Sequence, residues 1–209
     1  MNRLLPLSIV ALGILAFATL MLVVVPGMQI RSQSPSPGLL PYTQAELRGR
    51  EQYVSLGCLY CHSQQPRASD QAPDDQRGWG RASVASDYVY DQPHQLGTMR
   101  TGPDLLNVGA RLPSQAWHLT HLLQPRAIFD WSIMPAYPFL FEQKPAAEPG
   151  DVVVALPPGY AAQNGVFVAS QQALDLVTYL QGLDRTYPAL PDAVRDDGYA
   201  EPDDEGRKP

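Results

Sequence analysis

The chain has 209 residues, a formal net charge of −6 and 21 prolines, and its length suits one compact domain with appendages. The acidic balance argues against a nucleic-acid partner, since phosphate contacts need clustered Lys and Arg. Only two cysteines are present, Cys58 and Cys61, which excludes a framework of several disulfides. The pair must therefore be understood as one local site.

A membrane anchor is predicted at the N-terminus, over residues 1–27. No charged residue lies between Leu4 and Gly27, and a helix of about 20 apolar residues crosses the hydrocarbon core. A cleaved signal peptide is the alternative, but its apolar region is about 7–15 residues long and ends at an Ala-x-Ala-like site, which this segment lacks. Arg3 and Arg31 flank the span, so the positive-inside margin is small. We expect a single-pass protein of a bacterial inner membrane, with the remainder on the periplasmic side.

A linker, a helix and a long loop are predicted next. Residues 28–42 are rich in Ser and Pro, which favours a semi-extended linker. Thr43 and Glu46 form a capping-box pattern, which predicts a helix over 43–57 that runs up to the cysteine pair. Residues 64–100 contain many turn-forming residues and no sustained period, so we expect a loop there.

Two further helices are predicted in the second half of the chain. Ser114 is a good N-cap for a helix over 114–123, and a proline follows the end of that helix. Ser170 begins an amphipathic helix over 170–183, in which leucine and valine recur at helical spacing. Together with helix 43–57, these segments make the predicted fold class mainly α.

An insertion and a tail complete the predicted periplasmic part. Residues 141–168 are rich in Pro and Gly and are predicted to be an insertion, with strands at Asp151–Leu156 and near Gly165–Ala169. Residues 186–209 are acidic and Pro-rich, so we expect a poorly ordered tail. The functional domain is therefore expected to span 43–185.

The cysteine pair belongs to the sequence Cys58-Leu59-Tyr60-Cys61-His62, a C-x-x-C-H pattern that is typical of covalent haem attachment. Residues three apart at the end of a helix share one face, so both thiols can reach the two vinyl groups on one porphyrin edge. His62 can then place a neutral imidazole nitrogen on the iron. The sequence predicts one covalently bound haem c.

The cysteine pair has two other interpretations. A thioredoxin-like dithiol has its C-x-x-C after a strand at the start of a helix, whereas this pair follows a predicted helix. A zinc site needs four ligands, and the chain has no second cysteine pair. In an exported chain whose only cysteines form this motif, haem attachment is favoured over both.

The second axial ligand of the iron is predicted to be a methionine, as in cytochromes c. Met134 precedes Pro135, which favours an extended turn that can hold the thioether toward the iron. It also lies far enough along the chain from His62 to let the chain wrap around the ring edge. Met99 is the alternative, and the other three methionines lie in or beside the anchor.

Four more residues are predicted to lie around the cofactor. The Pro103 carbonyl is a candidate acceptor for the ring N–H of His62, which would fix the orientation of the ring. The two propionates of a haem need donors where they are partly buried. Arg111 follows the Gly-Pro-Asp loop and is one candidate, and Arg100 and Arg126 are the others.

His118 and His121 lie three apart on the predicted helix 114–123, beside Trp117. Two histidines alone make a poor metal site, and no other cysteine pair could anchor a second haem. We therefore interpret both histidines as packing or hydrogen-bonding residues.

Five segments carry a resemblance to a known family. They are GREQYVSLGCLYCHSQ (49–64), Val89-Tyr90-Asp91-Gln92-Pro93, RTGPDLLNVGARL (100–112), AWHLTHLLQPR (116–126) and SIMPAYPFL (132–140). In order and spacing the chain resembles the monohaem subunit II of C-family haem–copper oxidases, the cbb-type cytochrome c oxidases, from about residue 43 to 140. Residues 65–80 and 141–168 depart from the family pattern.

The resemblance implies a class I cytochrome c-like domain with one N-terminal transmembrane helix. It implies that the first and last helices of the domain cross, with Gly49 or Tyr53 meeting Tyr179, and that His62 and Met134 are the axial ligands. The implied partners are the large haem–copper catalytic subunit, a donor cytochrome c that is often a dihaem subunit, and the lipid bilayer. The chain would carry electrons and would not reduce oxygen itself, since His/Met ligation leaves no open position on iron.

Three other functions stay open at this point. A nitric-oxide reductase also uses a monohaem cytochrome c subunit with one N-terminal span, although the W-H-x-x-H and R-T-G-P-D-L runs favour the oxidase. A free-standing anchored electron shuttle would carry the same cofactor without a fixed partner. An exported thiol–disulfide enzyme would use Cys58 and Cys61 without haem.

Overall fold

The structure, a computed structural model, describes residues 4–31 and 33–189. The chain divides into two compact units. The described residues of the first unit are 4–31, 33–39, 84–92 and 187–189, and the second unit consists of 40–83 and 93–186. Most of the predicted tail, 186–209, lies outside the described residues.

The first unit begins with a long apolar helix. Helix α1 (Leu4–Thr19) continues through a π-helical stretch (Leu20–Val24) into helix α2 (Val25–Arg31). The apolar part, Leu4–Gln29, has 26 residues and a mean hydropathy of 2.7, so by length and composition it could cross a membrane. The helix continues past the predicted end of the anchor at residue 27, because the π-helical stretch accommodates the missing N–H of Pro26 without ending the helix.

Part of the predicted linker 28–42 is packed against the rest of the first unit. Ser36 is buried, and its Oγ lies 2.9 Å from Ser86 Oγ and donates to Asp87 Oδ1 at 3.2 Å. Residues 84–92 therefore group with the linker, whereas the sequence places them in the domain 43–185. The difference arises because these hydrogen bonds join residues 50 and 51 positions apart, which leaves no local signal in the sequence.

The second unit contains four helices, α3 (Gln44–Ser55), α4 (Val108–Arg111), α5 (Gln115–Leu123) and α6 (Gln171–Gly182). The predicted N-caps are present: Thr43 and Glu46 form the capping box of α3, and the Ser114 and Ser170 hydroxyls accept backbone N–H groups of α5 and α6. The short α4 was not predicted. Single 3₁₀ turns lie at Ala85–Tyr88 in the first unit and at Cys58–Tyr60, Pro125–Ala127 and Pro138–Leu140 in the second.

Helices α3 and α6 cross in close contact at Gly49. A Cβ at this position would lie 1.9 Å from the Asp175 carbonyl oxygen and 2.7 Å from Tyr179 Cβ, so only glycine allows the two backbones to approach this closely. Beside it, the rings of Tyr53 and Tyr179 are fully buried, with centroids 5.5 Å apart and planes tilted by 56°. The helix crossing that the resemblance implies is therefore confirmed.

The predicted insertion 141–168 and the residues just after it form a small antiparallel sheet. Its strands are β1 (Phe141–Lys144), β2 (Val153–Val154) and β3 (Val166–Ala169), in the order β1-β3-β2. In register, Phe141 pairs with Ala169 and Val153 with Val168. The sequence did not indicate β1, whose Phe-Glu-Gln-Lys run has little apolar pattern, and it placed β2 over a longer stretch than the two residues that pair.

Candidate functional site

The two cysteines lie on one turn that follows directly from the end of α3. Gly57 adopts a left-handed conformation (φ 76°) and redirects the chain into the 3₁₀ turn Cys58–Tyr60. The backbone N–H groups of Cys61 and His62 both donate to the Cys58 carbonyl, at 3.1 and 3.0 Å. Both thiols are free, Cys58 half-buried and Cys61 exposed. One tight turn therefore presents two thiols and one imidazole.

The His62 ring is oriented by a hydrogen bond at Nδ1, which leaves Nε2 without a partner among the described residues. Nδ1 lies 2.7 Å from the Pro103 carbonyl oxygen, and since a carbonyl can only accept, Nδ1 carries the proton and Nε2 keeps a free lone pair. The pKa of His62 is lowered, because burial outweighs the hydrogen bond to the Pro103 carbonyl and the charge of Asp104, both of which raise it. The ring is therefore neutral, the form in which imidazole binds a metal.

Gly102 forms the floor under the His62 ring. A Cβ here would lie 2.2 Å from His62 Cε1, closer than any side chain could be tolerated. The backbone N–H of Gly102 also donates to the Cys61 carbonyl at 2.9 Å. The Gly-Pro pair thus supplies both the space for the ring and the acceptor that orients it.

Asp104, the next residue along the chain, ties this loop to the motif. Its fully buried carboxylate accepts the Ser63 hydroxyl at 2.6 Å and the backbone N–H groups of Gln65 and Leu106 at 2.7 and 3.0 Å. These are strong charge-assisted bonds in a site with little water. They hold the segments that carry His62 and the Pro103 carbonyl at a constant separation.

Arg100 completes this buried network. Its guanidinium binds both Asp74 oxygens, at 2.7 and 2.8 Å, and lies 3.5 Å from an Asp104 oxygen. Its Nε donates to Ser63 Oγ at 2.9 Å, and the group stacks over the Trp79 ring at 5.2 Å. The sequence gives Arg100 as a candidate propionate donor, and here its charge is paired with the buried carboxylate of Asp74.

Asp74 is the fully buried partner in this pair. Burial alone would raise its pKa, but hydrogen bonds from Arg100 and from the Arg67 N–H outweigh burial and lower the pKa. The carboxylate therefore stays ionised in the folded protein.

Arg111 is a cation without a carboxylate partner in the described part of the chain. Its Nη2 donates to the Asp104 carbonyl, while its buried Nε has no hydrogen-bond partner among the described residues. Burial lowers the pKa of Arg111, and the charge of Asp104 only partly offsets this. A buried, incompletely satisfied guanidinium fits an acidic group such as a propionate. Arg126 is exposed in the turn Pro125–Ala127, and no described contact supports a role for it.

The Met134 segment faces the cysteine turn. Met134 is half-buried and packs against the core, whereas Met99 has 56% of its surface exposed. Tyr137 links the two sides, because it packs against the same core as Cys58 and the two groups shift each other's pKa. Burial, followed by the charges of Cys58 and Cys61, raises the pKa of Tyr137 to about 12. The geometry thus brings Met134, and not Met99, into contact with the same core as the motif.

The two histidines of α5 differ in their surroundings. His118 is buried, and its Nε2 lies 2.8 Å from the Leu112 carbonyl oxygen. His121 is stacked on Trp117 at 4.8 Å, and its buried Nδ1 has no partner among the described residues. Burial first, and then the charges of His62 and His118, lower the pKa of His121 to about 4. The described residues contain no cluster of three or more His, Cys, Asp or Glu that could hold a separate metal ion.

The residues present fit a covalently bound haem. Two thiols lie on one turn, a neutral imidazole offers Nε2, a thioether-bearing segment faces that turn, and the half-buried Arg111 lacks an anion among the described residues. This is the donor set of a c-type centre. Asp74, Asp104 and Tyr137 were not identified from the sequence. Only Asp104 had a usable signal, its place directly after the Gly-Pro pair.

Comparison with known proteins agrees with this chemistry. The family model described as "Cytochrome C oxidase, mono-heme subunit/FixO" matches residues 2–152. The match includes the apolar helix, the C-x-x-C-H turn and Met134, and it ends before strand β2. No curated protein matches the chain.

Proposed function

The chain belongs to the FixO family, the mono-haem subunits of cytochrome c oxidase, and we propose that it carries electrons to the catalytic haem–copper subunit of a cbb-type oxidase in aerobic respiration. In this proposal one haem c is bound covalently by Cys58 and Cys61. His62 and Met134 are the axial ligands of its iron. The bound haem supplies a one-electron couple.

The observation that carries the proposal is the pairing of the cysteine turn with the Met134 segment through Tyr137. Cys58, Met134 and Tyr137 pack against the same core, and Cys58 and Tyr137 shift each other's pKa, so residues from two distant parts of the sequence lie together. His62 presents Nε2 there because Pro103 occupies Nδ1. If His62 and Met134 both bind the iron, no position would remain for a substrate, and this chain would carry electrons without catalysing the oxidase reaction itself.

The charged residues around the site have separate roles in this proposal. Arg111 is the donor that meets a propionate, since its Nε is buried and unpaired among the described residues. Arg100 instead supports the loop that positions Pro103. Arg126 remains a weaker candidate because it is exposed.

The environment of Cys58 disfavours the competing thiol–disulfide enzyme. Burial raises the pKa of this thiol to about 11. A reactive dithiol needs a lowered pKa so that the nucleophilic thiolate forms near neutral pH. A half-buried, protonated thiol therefore favours covalent haem attachment over thiol–disulfide exchange.

The domain plan of the proposal is an anchor over 1–27, a linker over 28–42, a periplasmic monohaem domain over 43–185 and a tail over 186–209. The close crossing of α3 and α6 supports a class I cytochrome c-like core. The 26-residue apolar helix supports a single span in the bacterial inner membrane. The proposed partners are the catalytic subunit, a donor cytochrome c that is often a dihaem subunit, and the lipid bilayer.

Native purification from detergent-solubilised membranes tests the proposal. We expect a large subunit to co-purify, with c-type and b-type signals in the reduced-minus-oxidised spectrum and with oxygen uptake. A c-type band without a large subunit would replace the proposal with an anchored shuttle. Reduction of nitric oxide in place of oxygen would assign the chain to a reductase, and a colourless protein would revive the dithiol enzyme.

A further inference from the structure

His121 has a hydrogen-bonding atom whose partner is missing from the described part of the chain. Its Nδ1 is buried without a hydrogen bond, although buried polar atoms are rarely left unpaired. His118, one turn earlier on α5, has its ring nitrogen satisfied by the Leu112 carbonyl. The contrast shows that a histidine can be satisfied on this helix, so the unpaired atom of His121 points to a partner outside the polypeptide or on a group that moves.

The segment that carries Met134 contacts helix α5 at two points, one at His121 and one at the next residue. The Phe129 ring, before Met134 in sequence, meets the His121 ring edge to face, with centroids 6.2 Å apart and planes at 80°. After Met134, the backbone N–H of Tyr137 donates to the carbonyl of Leu122, the residue next to His121, at 2.9 Å. Both flanks of the methionine are thus attached to α5 at the position of this histidine.

The orientation of the His121 ring is restrained by stacking. Its plane lies only 14° from that of Trp117, with centroids 4.8 Å apart. His121 therefore lies beside Phe129 of the segment that carries Met134, in a plane that stacking on Trp117 restrains.

We propose that the Nδ1–H group of His121 donates a hydrogen bond to the thioether sulfur of Met134 when that sulfur is an iron ligand. This inference rests on the proposed function. A hydrogen bond withdraws electron density from the sulfur, so the sulfur donates less to ferric iron and the ferrous state is favoured. His121 is then a positioning residue that raises the reduction potential through Met134.

The test uses the full-length, haem-loaded chain in detergent and three variants. His121→Phe keeps an aromatic ring against Trp117 but removes the donor, and His121→Asn keeps an N–H near the position of Nδ1. His118→Phe is the matched control, because its ring nitrogen already binds a backbone carbonyl. The readouts are the midpoint potential and the near-infrared band of ferric haem with a thioether ligand.

For His121→Phe we expect the equilibrium constant for reduction to fall about fivefold, the value of one ordinary hydrogen bond, with a shifted thioether–iron band. His121→Asn should restore most of the wild-type potential, and His118→Phe should lower stability while leaving potential and band in place. An unchanged potential in His121→Phe would overturn the inference. A changed potential with an unchanged band would also overturn it, since the donor would then act on a propionate. Failure of the proposed function looks different, because the wild-type chain itself would lack haem or the thioether band.

Discussion

The two sides of the candidate haem site are built differently. On the His62 side, the ring, its Pro103 acceptor and the surrounding loop are held by buried charges that satisfy one another. On the Met134 side, the segment is attached through the backbone bond from Tyr137 to Leu122, and its neighbours Trp131 and Ile133 expose 77% and 75% of their surfaces. One side is a rigid polar framework, and the other is a lightly attached apolar segment.

The two proposed ligands therefore reach their positions by different means. His62 is oriented by the polypeptide alone, because removing any member of its network leaves a buried group unpaired. Met134 belongs to a segment held largely by apolar packing, which a flexible thioether side chain can follow. Formation of the iron–sulfur bond would then complete the packing of this segment.

The largest effect is expected when the rigid side loses a buried charge. Asp74→Asn leaves Arg100 without its fully buried bidentate partner, and breaking such a pair costs about 3–5 kcal/mol of unfolding free energy. Urea unfolding of the haem-loaded chain measures this loss. Asp70→Asn, at an exposed carboxylate of the same loop, is the control and should stay within about 0.5 kcal/mol. Equal effects of the two variants would show that the network does not hold the His62 side.

A smaller but more local effect is expected from Gly102→Ala. The new methyl group must displace the His62 ring, at an expected cost of about 1–3 kcal/mol and with loss of the wild-type spectrum of the bound haem. Gly159→Ala is the matched control, because a Cβ there meets no atom within 4 Å. An unaltered spectrum in Gly102→Ala would mean that the position of the His62 ring does not require glycine at position 102.

Acid should destabilise the folded chain, because two paired carboxylates become protonated. Hydrogen bonds from Arg48 lower the pKa of Asp175, and those from Arg100 lower that of Asp74, so both carboxylates bind protons more readily in the unfolded chain. Their contribution to stability is complete above the unfolded value of about 3.9 and is lost as the pH falls through the lower folded values. The urea midpoint should therefore drop below about pH 4, and Asp74→Asn should flatten that drop. A midpoint independent of pH in this range would contradict the assignment of ionised, paired carboxylates.

The smallest effect on folding is expected on the Met134 side. Met134→Leu conserves volume and should change the unfolding free energy by less than about 1.5 kcal/mol, yet it should abolish the thioether–iron band of the ferric protein. Met99→Leu, at an exposed methionine, should leave that band in place. The opposite result, with the band lost only in Met99→Leu, would reassign the axial ligand.

The sequence predicted those elements that depend on residues close together in the chain. The Thr43–Glu46 capping box and the Ser114 and Ser170 caps marked the starts of three helices, since each cap bonds to a backbone group a few residues away. The C-x-x-C-H spacing likewise identified the turn at Cys58, because the residues that form it are consecutive.

Features that depend on distant partners were not predictable in the same way. Arg100 was named as a propionate donor, but its partner Asp74 lies 26 positions away in a stretch with no regular period. Tyr137 could not be linked to Cys58 from the sequence, because only the folded chain brings them together. The sequence does not indicate that Nδ1 of His121 is unpaired, because this depends on the positions of all the neighbouring donors and acceptors in the fold.

The mass of the intact, denatured chain, purified from its native membranes, shows whether Cys58 and Cys61 hold one haem covalently. We expect a mass that exceeds the polypeptide by one haem, with neither cysteine open to alkylation. An unmodified mass with two alkylatable thiols would contradict covalent attachment, whatever the spectra of the surrounding complex show.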